Sequence, residues 1–148
     1  VGAIGMCMTG NFALALMVDE VVMAPVLSQP SLPMGSTRAA REALHVSDAD
    51  LAVIKRRARE GCPVLGLRFT HDPLVPAARF ERLRRELGEA FEGIEIDSGP
   101  GNPHGIPRMA HSVVTTHLVD REGHPTQAAL HRVLDFFEER LRGSTPGG

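Results

Sequence analysis

The sequence contains no tryptophan and no tyrosine, and its six phenylalanines leave it at 4% aromatic. That shortage argues against a stacking platform for single-stranded nucleic acid. Neither sign of charge is in excess. Lys and Arg total 16 against 18 Asp and Glu, for a formal net charge of −2. Nothing here pulls the chain toward nucleic acid or an anionic membrane surface. No apolar run reaches the roughly 18 residues that span a bilayer. The first residues carry no basic n-region of a secretory signal. Cysteine is scarce, with only Cys7 and Cys62. One follows a strand pattern and the other precedes one, which in a parallel α/β sheet means opposite edges. Both are therefore expected to be reduced, with a cytoplasmic location.

What is present is an ordinary globular composition, 43% hydrophobic and 23% charged, in 148 residues. That length suits one domain that buries roughly two-thirds of its unfolded surface. Strand and helix patterns alternate, which implies a parallel sheet with crossover helices. Strands are expected at 1–5, 20–24, 63–69 and 91–96. Helices are expected at 9–17, at 37–44 capped by Ser36, from Ser47 to Gly61, at 77–87, and from Pro125 onward. Ser47 with Asp50 three residues on is a capping pattern. Leu51, Ile54 and Ala58 recur at helical spacing as an inner face, with Lys55, Arg56 and Arg59 toward water. Arg79, Arg82, Arg84 and Arg85 read as a basic patch diluted by Glu81, Glu86 and Glu89. Leu130, Val133, Leu134, Phe137 and Leu141 read as the core stripe of the last helix. Pro25 is expected to end the second strand, and Ser28 to Gly35 to form a loop at the ligand-binding edge, read as a plain surface connection with a wall of the pocket as the alternative. Residues 143–148 read as a flexible tail.

The most informative stretch is Val1 to Met17. An apolar strand turns through Gly5-Met6-Cys7-Met8-Thr9-Gly10 into a helix. A sharp strand–turn–helix with a nucleophile at its apex and small residues two or three positions away is the nucleophile elbow. The apex backbone is strained, and larger neighbours collide with strand or helix. Thr9 stands where the commonest form has glycine. A cysteine at such an apex gains thiolate character from the helix start. The Met8 amide is then placed to donate to an oxyanion. The competing reading makes Cys7 a small buried hydrophobe at a tight junction.

Acyl transfer needs an imidazole base and a carboxylate that fixes its tautomer. In elbow-bearing folds the chain order is nucleophile, acid, histidine. Asp72 lies in the loop after the third strand, with Asp97 as the rival acid. The long Gly/Pro loop after the fourth strand leads to His104 and His111, and the choice between them stays open at this point. Asp72-Pro73 is also a common turn pair. His71 is expected to point away, and His117, His124 and His131 to be surface or helix-start residues. The histidines between 104 and 131 show no convincing metal-ligand spacing. No metal and no cofactor is expected. Cys62, at a helix end, reads as structural.

Three segments together, Gly5 to Gly10, His71-Asp72-Pro73-Leu74-Val75-Pro76 and Ala110-His111-Ser112, are similar to the motif regions of the dienelactone hydrolase family. The resemblance implies the C-terminal half of an α/β-hydrolase fold, an α/β domain over 1–142 whose mostly parallel sheet lacks its N-terminal strands. It implies Cys7 as nucleophile, Asp72 as orienting acid and His111 as base, acting on a small-molecule carboxylic ester or lactone. Two departures stand out. The early strands, with the second oxyanion donor and an acidic residue near the thiol, have no counterpart. Thr115 occupies the place where the dienelactone enzymes carry an arginine for the substrate carboxylate, which favours a general ester or lactone.

The chain starts at Val1, without Met and already within a strand, although a central parallel strand needs neighbours on both sides. The expectation is the C-terminal part of a longer protein, or one chain of a split pair. On that footing a non-catalytic segment, associating with an N-terminal half or with a second copy through the open edge of the first strand, is the alternative to an enzyme.

Overall fold

The computed structural model describes residues 1–142, so the expected tail at 143–148 lies outside the described residues. The first strand, β1, runs Gly2–Met6 and is followed by a single 3₁₀ turn, Cys7–Thr9, and helix α1, Gly10–Leu16. Strand β2 is Ala24–Ser28, helices α2 and α3 are Arg38–Glu42 and Asp48–Arg59, and β3 is Val64–Phe69. Helix α4 is Ala77–Leu87, β4 is Phe91–Ile96, and α5 is Pro125–Leu141. The four strands lie in the order β1-β2-β3-β4, every pair parallel. The α/β class, the parallel sheet and its flanking helices follow the sequence reading.

Strand β3 shows why the sheet needs cover on both faces. All six of its residues are buried. Val64 packs into the cluster formed with α1, α3 and α4, which includes Leu14, Ile54, Phe80 and Leu83. Leu65, Leu67 and Phe69 point the other way, to Val133 and Phe136 of α5. That is the two-residue period of a strand buried on both sides. Gly66 has no side chain because a Cβ there would lie 2.7 Å from the Phe91 ring.

Three expectations need correction. The second strand is not 20–24 but Ala24–Ser28, with Pro25 inside it. Asp19 Oδ1 accepts the Val21 amide at 3.0 Å and bends this segment into a turn. The buried Arg57 guanidinium holds that turn by donating to the carbonyls of Asp19, Glu20 and Val22. Pro25 is the second residue of β2, opposite Ala3 of β1, and pairing with β3 begins only at Val26. The short helix is capped by Thr37, whose hydroxyl accepts the Ala40 amide, and not by Ser36. On α5 the buried stripe is Thr126, Ala129, Val133 and Phe136. Leu134 and Leu141 of the expected stripe are exposed, because the sheet takes the neighbouring helical face.

The elbow is as tight as its glycines suggest. A Cβ on Gly5 would lie 2.1 Å from the Thr9 carbonyl oxygen, and one on Gly10 would lie 2.4 Å from Pro30 Cα. Thr9 is no defect. Its hydroxyl accepts the Met6 amide at 3.0 Å and donates to the Met6 carbonyl at 2.8 Å, closing the turn. Gly5→Ala should therefore destabilise the fold by about 3 kcal/mol, read as a lower urea midpoint at unchanged slope.

Candidate active site

A parallel sheet puts the carboxyl ends of its strands along one rim, where open α/β folds bind ligands. Each of the four strands contributes there: Cys7 just after β1, Ser31 after β2, Asp72 after β3, and His111 in the loop after β4. Cys7 occupies the left-handed region at φ 54°, a conformation that costs a residue with a side chain about 1–2 kcal/mol. The Ser31 amide offsets part of this by donating to the Cys7 carbonyl at 3.0 Å.

Asp72 is buried, with no exposed side-chain surface. Its Oδ1 accepts the Leu74 amide at 2.9 Å, and its Oδ2 meets His111 Nδ1 at 2.6 Å. The carboxylate fixes which ring nitrogen is engaged. The opposite nitrogen, Nε2, is buried and has no hydrogen-bond partner among the described residues. The Cys7 thiol and the His111 ring each alter the other's ionisation.

The thiol is more acidic than usual. Its interaction with His111 is the main reason, burial opposes it, and the Ser31 hydroxyl, the His111 charge and the Met8 amide add to the lowering. For His111, burial by itself pushes the pKa down. Hydrogen bonding and charge from Cys7 and Asp72 together outweigh burial, so the net direction is up. Both shifts favour the thiolate–imidazolium pair. The Met8 side chain is exposed.

The rival residues lie elsewhere. Asp97 Oδ1 accepts the Gly99 amide at 2.8 Å, as a loop-initiating aspartate does. His104 is exposed and stacks edge-on with His124 at 5.2 Å. His71 is exposed, with Nδ1 at 3.1 Å from the Thr70 hydroxyl. His124 is the N-cap of α5 and is buried, and His131 is exposed. Cys62 is buried against the carbonyls of Val22 and Met23, and burial pushes its thiol pKa up. Both cysteines are free thiols.

Three contributors escaped the sequence reading. The segment from Ser28 to Ser31 is buried, not a surface connection, and the Ser31 hydroxyl lies 3.6 Å from the Cys7 sulfur. Arg79, read as part of a basic patch, is 1% exposed. It donates to the carbonyls of Pro30, Pro33, Ala40 and Ala43, holding the segment that carries Ser31. Burial lowers its pKa. His117, expected at the surface, is half-buried. Its Nδ1 accepts the backbone amides of His111 at 3.4 Å and Ser112 at 3.2 Å. No sequence signal marked it, because the bond joins residues across an irregular turn. His117→Ala should release the amides of His111 and Ser112, read as faster hydrogen exchange at both, with little change in melting temperature by circular dichroism.

The family model of the dienelactone hydrolase family matches residues 1–141. Comparison with curated proteins and with solved structures gave no match. No helix among the described residues is long and apolar enough to cross a membrane. The chain belongs to the dienelactone hydrolase family, a hydrolase family of the α/β-hydrolase fold.

Proposed function

We propose that this protein hydrolyses carboxylic esters or lactones with Cys7 as nucleophile, His111 as proton carrier and Asp72 as the group that orients the imidazole. One observation carries the reading. His111 is bound through Nδ1 to a buried carboxylate and leaves Nε2 without a partner among the described residues. The Cys7 thiolate attacks the acyl carbon, and the carbonyl electrons move onto oxygen, which accepts the Met8 amide. The tetrahedral adduct collapses to a thioester as His111 Nε2–H protonates the departing alkoxide. With a lactone, that alcohol stays tethered to the acyl group. Neutral His111 then takes a proton from water, the hydroxide attacks the thioester, and the carbon–sulfur bond breaks to return the thiolate and release the acid. Asp72 holds the ring in the tautomer that presents Nε2 and stabilises the imidazolium.

The reading requires Cys7→Ala to reduce hydrolysis of p-nitrophenyl acetate by at least ~10³-fold. Turnover equal to the wild type would reject it. Asp72→Asn should cost ~10³–10⁴-fold in kcat while the fold persists, since an amide supports the wrong tautomer.

The pH profile has a definite sign. Activity rises as the Cys7 thiol ionises, and this limb lies below the ordinary thiol value of 9.0. It falls as His111 loses the proton that the leaving group needs, and this limb lies above the ordinary 6.5. Removing the Asp72 carboxylate removes one of the influences that raise His111. The alkaline limb of kcat/KM in Asp72→Asn should therefore move to lower pH.

A second reading has its own observation. Strand β1 is an edge of the described sheet, and Ile4, Phe12, Leu16 and Val21 are exposed near it. An unpaired strand edge with apolar neighbours is a template for another strand. In this reading the chain is a binding module that associates with an N-terminal half or a second copy. Light scattering on the purified chain discriminates the two: an active monomer rejects the second reading.

A further inference from the structure

Ser31 stands in an unusual position for a residue with no assigned role. It is 2% exposed. Its backbone amide already makes the local turn bond, to the Cys7 carbonyl. Its hydroxyl is thus not needed to satisfy the backbone, and the partner it meets among the described residues is the Cys7 sulfur, at 3.6 Å. A buried hydroxyl left without an acceptor is costly, about 1–3 kcal/mol, whereas one that donates to an anion makes a charge-assisted bond about twice as strong as a neutral one.

The hydroxyl is also held in place from three directions. Arg79 binds the carbonyls of Pro30 and Pro33 on either side, at 2.7 and 2.6 Å. Asn11 of α1 donates to the Leu32 carbonyl. Gln29 accepts the Val113 amide at 3.3 Å, which ties the segment to the loop that carries His111. A surface connection has no use for this much fixing. A group that must keep a set distance from a sulfur does.

We propose that Ser31 is a further catalytic residue, whose hydroxyl donates a hydrogen bond to the Cys7 thiolate and holds that sulfur ionised before substrate arrives. The inference rests on the thiol chemistry assigned to Cys7 and adds a hydroxyl donor to the influence of the His111 ring. No proton is transferred: the hydroxyl hydrogen stays on Ser31 while the Cys7 proton resides on His111. Once the sulfur is acylated it carries no charge, and the Ser31 bond weakens. Ser31 therefore acts on thiolate formation and not on thioester hydrolysis. The lowering of the Cys7 pKa by Ser31, second among the lowering influences, agrees with this role.

The test needs no ester, so it can fail separately from the hydrolase reading. Alkylation of Cys7 by iodoacetamide is followed across a pH series by peptide mass, which separates it from Cys62. In Ser31→Ala the rate on the acid side should fall ~10-fold while the alkaline plateau stays at the wild-type value, as expected for a thiol with a raised pKa. Ser31→Thr, which keeps the hydroxyl, should retain the wild-type profile. Ser31→Gly takes the place of an alanine variant that fails to fold, judged by circular dichroism. A hydroxyl-free variant whose profile superimposes on the wild type overturns the proposal. So does a threonine variant that shifts as far as alanine, since that assigns the effect to packing.

Discussion

The backbone of Cys7 is the constraint on which the rest of the site depends. A residue with a side chain is held at φ 54° between a strand and a helix, and that conformation persists only where the surroundings over-determine it. The surroundings here are specific. Gly5 and Gly10 leave room where a single Cβ would meet backbone or proline at 2.1–2.4 Å. Thr9 closes the turn on Met6 in both directions, and Ser31 reaches over from the neighbouring strand end to bind the Cys7 carbonyl. The strain presents the sulfur to the rim of the sheet, where the imidazole arrives from β4.

Around that point the fold uses buried cations as fasteners. Arg79 and Arg57 are each nearly inaccessible, and each spends its guanidinium hydrogens on backbone carbonyls. Burial opposes such charges, and several carbonyl acceptors per cation offset that opposition. Arg79 fixes the segment after β2, and Arg57 fixes the turn before it. Between them they set both ends of the strand whose carboxyl end carries Ser31. Gln29 and His117 continue the same logic on the histidine side, where they accept backbone amides of Val113, His111 and Ser112.

Much of this was legible before the coordinates. Helix α4 and strand β4 fall on their expected bounds, because Phe80, Leu83 and Leu87 repeat at helical spacing and Phe91 to Ile96 reads as a short apolar strand. The Ser47 cap is formed, with its hydroxyl accepting the Asp50 amide at 3.0 Å. Asp72 and His111, the acid and histidine that the family resemblance singles out, are in contact. The failures share a cause. Val21, Val22 and Met23 have the composition of a strand, but a remote guanidinium and a local aspartate turned them. Leu134 and Leu141 have the composition of a core, but α5 settled on Ala129, Val133 and Phe136. Arg79 looked like solvated charge until the carbonyls that bind it came into view.

The sequence by itself determined the local devices: the glycine-framed elbow at Cys7, the alternation of strands and helices, the Ser47 cap, and the order of sulfur, carboxylate and imidazole along the chain. These depend on steric and periodic rules that act over a few residues. The tertiary structure alone decided which residue of the β2 loop touches the sulfur, which arginines are buried, and which histidine braces the turn that carries His111. Those outcomes depend on hydrogen bonds between residues far apart in the chain, such as Arg79 with Pro30 and Gln29 with Val113. No periodicity records such pairings, because their energy exists only once the sheet has brought the strand ends together.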